Sequence, residues 1–278
     1  MARLMCIATH HKGGTIWIKQ VVRALSQTLD VPWKGIWGDK RMRAVPSEGR
    51  AFLCNWDGYF PKPLWDSQET AFVHLIRDPR DVLLSGCRYH HDAPVVGEDF
   101  LHVPRDDLNG LTYQQHLNTL KTQEEKLLFE MMNKHAQTIA EMRAWPYGDP
   151  RSFELRYETL MEDTEATVFS AALTHLGLAP FEVALGAEEF WHHSLFGGLA
   201  RPGARKGRLS HHIKAGHPRR WARELPLAVG RAYAERFGAD LIALGYETDN
   251  AWVDTLPEGA AFVVPQPKPG AMPPSLQP

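Results

Sequence analysis

The chain has 278 residues, 44% of them apolar, enough for one large α/β domain with a substantial core. A formal net charge of −2 excludes a global basic field for nucleic acid, so any anion site must be a local cluster. Cys6, Cys54 and Cys87 lack metal-ligand spacing, the first apolar run is too short for a secretory leader, and no run nears the roughly 18 residues of a membrane span, so a cytoplasmic protein with free thiols and no membrane partner is expected.

Leu4 to Ala8 predicts a buried strand. His10-His11-Lys12-Gly13-Gly14-Thr15-Ile16-Trp17 follows, and Ile16, Val21, Val22, Leu25 and Leu29 make an apolar stripe at helical spacing. Strand, glycine turn and helix in that order suit an anion. Gly13 and Gly14 let the backbone close around a ligand, Thr15 opens the helix with its free N–H groups and dipole, and Lys12 adds a full charge. The stretch is a phosphate-binding loop in physical terms, although G-x-x-x-x-G-K-[ST] is absent. A plain strand-to-helix turn with a solvent-facing lysine would have the same pattern.

Val31 to Arg43, with Trp33 and Trp37 among glycines, reads as a loop. Ala51 to Trp56 is a second strand, Gly58 to Lys62 a turn, and Ala71 to Ile76 a third strand. Arg77-Asp78-Pro79-Arg80-Asp81 then opens a helix through Tyr89, with Pro79 in a normal first-turn place. Strand then helix, twice, indicates βαβ units on a parallel sheet, whose ligands bind at the carboxyl ends of strands, where Lys12 and Arg77 both fall. His91 to Gly110 is a charged loop long enough to be a substrate lid. Thr112 to Trp145 is mostly helix, Phe153 to Tyr157 a strand, and Ala166 to Leu176 a helix stopped by Gly177. Phe181 to Leu195 is another helix. Phe196 to Arg220 is loop-like and basic, without one acidic residue, and is either a solvated loop or a flap over a polyanion. Leu225 to Leu244 is the last helix. From Leu256 the chain carries 7 prolines in 23 residues and should be extended or disordered. The expected organisation is therefore one α/β domain over 1–250, a central parallel sheet flanked by helices, with a Pro-rich tail over 251–278.

The order strand–HKGGTIW–helix, strand–RDPRDVLLSG–helix, FELRYETL and a late RKG resembles the sulfotransferases that use 3′-phosphoadenosine 5′-phosphosulfate (PAPS), over roughly residues 4–220. The resemblance implies that Lys12 and the turn Gly13, Gly14, Thr15 and Ile16 grip the 5′-phosphosulfate, with Ile16 standing where many members have a second threonine. It implies that Trp17 stacks on adenine, that Arg77 and Ser85 read the 3′-phosphate, and that Tyr157 lies near the base. Arg205, Lys206 and Gly207 match the motif that closes over the 3′-phosphate, but the family's tryptophan-containing continuation is missing after them. Sulfuryl transfer from PAPS to a hydroxyl or amine, leaving adenosine 3′,5′-bisphosphate (PAP), is an in-line displacement in which Lys12 would neutralise the leaving oxygen. The transferred group carries less charge than a phosphoryl, and no metal is expected.

The family's general-base histidine stands on the strand before the second motif, where this chain has Asn55, which cannot take a proton. Asp57, two residues on, shares that strand face if the strand continues and is the candidate catalytic base, with His10, His11 and His90 as rivals. The acceptor is a small molecule. Trp33, Trp37, Trp56, Tyr59 and Phe60 suit an aromatic or apolar one, or belong to the core, while the basic run near Arg201 suits an acidic sugar. Two other readings compete: a phosphotransferase using ATP, and a nucleotide-binding protein that has lost its chemistry.

Overall fold

The computed structural model describes residues 3–37, 39–94, 98–201, 217–258 and 262–264. The expected α/β architecture is observed. Five strands, β1 (Leu4–Ala8), β2 (Trp33–Gly35), β3 (Ala51–Asn55), β4 (Thr70–Ile76) and β5 (Ser152–Arg156), form one sheet in the order β2-β3-β1-β4-β5. Every pairing is parallel, with Ala8 opposite Asn55 on one side and His74 on the other. β1, β3 and β4 are buried along their whole length, which is why they read as unbroken apolar runs.

Described contacts group into two compact units, Met1–Asp78 with Gln137–Pro218, and Pro79–Ala136 with Arg219–Pro278. The first holds the sheet. Alternation along the strands sends Met5, Ile7, Val73 and Leu75 into a core with α1 (Thr15–Thr28) and α8 (Thr167–His175), where α9 (Pro180–His192) adds Phe190. Leu4, Cys6, Leu53 and Phe72 point the other way, onto Leu64 of α2 (Lys62–Asp66), Phe60 and Trp145. α1 buries Trp17, Ile18, Val21, Val22 and Leu25, the stripe spacing expected of a helix against a sheet. α7 (Tyr157–Glu162) follows β5 directly, so Tyr157 opens a helix where the sequence suggested the last strand residue.

In the second unit, α3 (Pro79–Asp92) packs with α4 (Tyr113–Thr119) and α5 (Gln123–Met132). The single helix expected over Thr112 to Trp145 is three, counting α6 (Lys134–Arg143). Capping boxes Thr112/Gln115 and Thr122/Glu125 start the first two, and Asn133 at ψ −109° breaks the chain before the third. The closing elements are α10 (Trp221–Glu224) and α11 (Leu227–Ala243). Arg80, 1% exposed, lies 3.4 Å from the Trp221 ring centroid and 4.7 Å from that of Trp252, and pairs with Glu247. Asp81 accepts the Trp221 backbone N–H at 2.9 Å. Glu130 accepts the Tyr113 hydroxyl at 2.8 Å and pairs with His90 at 2.7 Å.

Three further expectations meet the structure here. Val31 to Arg43, read as loop, contains the edge strand β2 and a 3-10 turn, Asp39–Ala44. Between His91 and Gly110 two 3-10 turns bury Leu101 and Leu108. In the segment from Leu256 onward, read as extended or disordered, Leu256, Phe262 and Val264 are buried, and the Val264 N–H donates to Gln123.

Candidate functional site

The strand ends of the first unit bring the sequence-selected residues together. β1 ends at Ala8, and the chain turns over His10 to Gly14 before α1 begins at Thr15. His10 supplies the pivot through its carbonyl, which accepts the Gly13 N–H at 2.8 Å and the Thr15 hydroxyl at 3.0 Å. The Thr15 proton being thus committed, Thr9 donates its own to the Thr15 oxygen at 2.7 Å. Lys12 adopts left-handed backbone at φ 58°, a conformation that costs a side-chain-bearing residue roughly 1–2 kcal/mol. Gly14 is the N-cap at φ 105°, and no side chain caps the helix, so its first N–H groups face the turn. A Cβ at Gly14 would meet Tyr157 at 3.0 Å and Leu75 at 3.1 Å, which leaves glycine as the residue that fits. Loop and uncapped terminus together form an anion-binding geometry with Lys12, half-buried, beside it.

Arg77, at the end of β4, is 7% exposed and donates to the Lys12 carbonyl at 3.3 Å. Its guanidinium lies 4.4 Å from the Tyr157 ring centroid. The next residue, Asp78, donates its backbone N–H to Glu158 at 2.9 Å, and burial pushes the Glu158 carboxyl above its ordinary range. The loop, the arginine and the start of α7 are therefore one linked group. Trp17 sits in the core, 6% exposed, stacked on Phe190 at 4.9 Å and edge-on to Tyr157 at 6.1 Å. Ile16 is half-buried. Ser85 is half-buried on α3 of the second unit. Arg205, Lys206 and Gly207, and the basic run around them, lie outside the described residues.

Asn55, in the place of the absent histidine, is a buried turn organiser. Its amide donates to the Ile36 carbonyl at 2.5 Å, and its oxygen accepts the backbone N–H groups of Asp57 at 2.8 Å and Tyr59 at 3.1 Å. Asp57 is exposed in the turn so held, as is Tyr59. Among the described residues no group of three or more His, Cys, Asp or Glu side chains is placed to hold a metal ion, and no helix is long and apolar enough to cross a membrane.

No protein-family model and no curated protein matches the sequence. Solved structures do match. Mouse sulfotransferase SULT7A1 complexed with PAP superposes at a TM-score of 0.56 and 15% identity, over 87% of this chain and 86% of that one. The fold is the sulfotransferase fold. Retinol dehydratase superposes more loosely: its complex with androsterone and the inactive cofactor PAP gives a TM-score of 0.47 at 14% identity, over 86% and 80% of the two chains. Its complex with retinol and PAP gives 0.42 at 15%, over 90% and 82%.

Two residues in this instance of the sulfotransferase fold escaped the sequence reading. His74, inside the apolar β4, pairs through Nε2 with His10 Nε2 at 2.8 Å and through Nδ1 with Glu154 at 2.7 Å. The available signal was the interruption itself, one histidine in AFVHLI beside one carboxylate in SFELR. Burial holds the His74 imidazole below its ordinary value, against the opposing pull of Glu154.

Proposed function

We propose that this protein transfers a sulfuryl group from PAPS to a hydroxyl or amine of a small molecule. The observation that carries the reading is the linked group at the strand ends: an uncapped helix N-terminus behind a glycine turn, Lys12 at its edge, and Arg77 fastened to the Lys12 carbonyl. Two cationic side chains in that arrangement suit a donor with two separate anionic ends. The likeness to a sulfotransferase complexed with PAP supports the same assignment.

PAPS supplies the activated sulfuryl group when bound. In this reading the turn from Gly13 to Ile16 holds the 5′ end through backbone N–H groups, and Lys12 offsets charge growing on the leaving oxygen. Arg77, with Ser85 and Arg205 assigned by sequence order, holds the 3′-phosphate. Lys206 and Gly207 are assigned in the same way to the segment that covers it. Tyr157 borders the adenine, with Trp17 behind it. Asp57, the base candidate named from the sequence, presents an exposed carboxylate in the turn after β3, with His10 as its rival for the acceptor's proton. The acceptor is assigned as aromatic or apolar, from Trp37 and Tyr59, which are 41% and 53% exposed at the ends of β2 and β3.

Calorimetric titration with PAP against AMP tests the donor assignment. Micromolar binding that requires the 3′-phosphate is expected. Equal binding of the two, or none, would overturn the reading, and Mg²⁺-dependent ATP binding in its place would bring the phosphotransferase forward.

A further inference from the structure

Transfer to a hydroxyl needs somewhere for its proton to go, and Asn55 has its hydrogen-bonding groups committed to the turn. His10 stands at the hinge of the anion loop, and its ring is the first member of a chain of three ionisable groups that crosses the sheet: His10 Nε2 to His74 Nε2 at 2.8 Å, then His74 Nδ1 to Glu154 at 2.7 Å. The chain is rigidly supported. The Trp145 ring stacks on His74 with centroids 4.1 Å apart and planes 11° apart. Its indole N–H donates to Ser152 at 3.0 Å, and the Ser152 hydroxyl donates to the other Glu154 oxygen at 3.0 Å. The carboxylate is 34% exposed, whereas both rings are fully buried.

Hydrogen-bond polarity follows from the far end. A carboxylate only accepts, so His74 carries its proton on Nδ1 and presents a bare Nε2. His10 must therefore donate from Nε2, which leaves its basic lone pair on Nδ1. A base held in one tautomer by a second group, itself held by a carboxylate, is the arrangement general-base catalysis uses. The cover over the His10 ring is the Gly58 backbone: a Cβ there would lie 2.1 Å from Cε1. That turn hangs from Asn55 by two hydrogen bonds, with Asp57 and Tyr59 exposed on it.

We propose that His10 is the general base of the transfer, reached when the turn over Gly58 lifts, and that His74 and Glu154 are positioning residues that fix its tautomer. The inference rests on the sulfuryl-transfer reading and deepens it. As the acceptor oxygen bonds to sulfur and the sulfur–bridging-oxygen bond breaks, the bond electrons leave with the phosphate and the acceptor's proton passes to His10 Nδ1. The resulting imidazolium is stabilised across His74 by Glu154. Among the described residues, ionisable groups near the pair include Tyr147, edge-on to His74 at 5.7 Å, His11 and Lys12 one and two residues along from His10, and Asp57 in the turn.

Glu154→Gln is the test, because the partly exposed site keeps its hydrogen-bonding shape while losing charge. Nuclear magnetic resonance of ¹⁵N-histidine-labelled full-length protein, with and without PAP, should find His10 protonated on Nε2 and His74 on Nδ1 in the wild type. In the variant the apparent pKa of the pair should fall by about one unit, as expected for removing a nearby opposite charge. With benzyl alcohol as probe acceptor, Glu154→Gln and His10→Asn should lose about tenfold or more in turnover, and less than about twofold with 4-nitrophenol, which ionises unaided. His10 protonated on Nδ1, an unmoved titration, or equal losses with both acceptors would overturn the proposal, and a flattened pH profile in Asp57→Asn alone would assign the base there. Wild-type protein that fails to bind PAP overturns the donor reading, and this inference with it. Tight PAP binding with an unmoved titration overturns only the role of His10.

Discussion

Gly58→Ala probes the contact on which the candidate site is built. Gly58 has φ +66°, and a Cβ there would lie 2.1 Å from His10 Cε1 and 2.7 Å from Nε2. Ordinary contact begins near 3.4 Å, so ring or turn must move by more than 1 Å. The ring cannot move that far and keep its 2.8 Å hydrogen bond to His74. Left-handed alanine costs about 1 kcal/mol, and leaving buried imidazole nitrogens unsatisfied costs about 1–3 kcal/mol. The expected destabilisation is about 2–4 kcal/mol. Gly49→Ala is the matched control: φ is +74° in the same unit, and a Cβ there meets nothing within 4 Å, so the backbone cost alone, about 1 kcal/mol, should appear. Urea unfolding followed by tryptophan fluorescence measures both. If the two variants agree within about 0.5 kcal/mol, the Gly58–His10 contact is not what holds the turn, and the reasoning fails.

Arg77→Ala should weaken PAP binding about 10- to 100-fold by calorimetry, the worth of a charge-assisted contact, whereas Lys12→Ala should slow turnover far more than it weakens PAP binding. If both variants lost only binding, the division of roles would be wrong. Asn55→Leu removes one donor and one doubly used acceptor and leaves the buried Ile36 carbonyl and the part-buried Asp57 and Tyr59 N–H groups without that partner; about 2–4 kcal/mol should be lost in urea unfolding, and a loss under about 1 kcal/mol would contradict the role given to that side chain. Acid sensitivity should trace to His135, whose buried imidazole is held down to about 4 from 6.5, against the pull of Glu130. The unfolded chain binds this proton first, so stability is full above pH 6.5 and falls as pH drops to about 4, by up to about 3 kcal/mol. His74, lowered by burial as well, acts in the same direction. Urea midpoints between pH 7 and pH 4 should show the slope, and His135→Gln should make it shallower.

The sheet was legible because β1, β3 and β4 are buried on both faces and carry continuous apolar runs. β2 was not, since Trp33-Lys34-Gly35 is a three-residue edge strand whose register is fixed by β3 rather than by its own pattern. The helical period ran on through Thr112 to Trp145 while the breaks lay in local chemistry, at Thr122 with Glu125 and at Asn133. The turn from His10 to Gly14 was readable from its glycines because its shape is set locally. Arg77 beside Tyr157 was named from motif order, but its bond to the Lys12 carbonyl was not readable, since it spans 65 residues. The His10–His74–Glu154 chain belongs to the same class: its members come from β4, β5 and the turn after β1, and only the β1/β4/β5 register aligns them.

Both packing units are assembled from two stretches that alternate along the chain, 1–78 and 137–218 for one, 79–136 and 219–278 for the other. During synthesis the sheet lacks β5 until residue 152 has emerged, and Arg80 and Asp81 wait about 140 residues for Trp221. Neither half can therefore be obtained by cutting the chain once. A chain made only as far as α10 therefore holds Arg80 without the aromatic ring that covers it in the folded protein, and incomplete packing of this kind is what exposes a growing chain to misassembly.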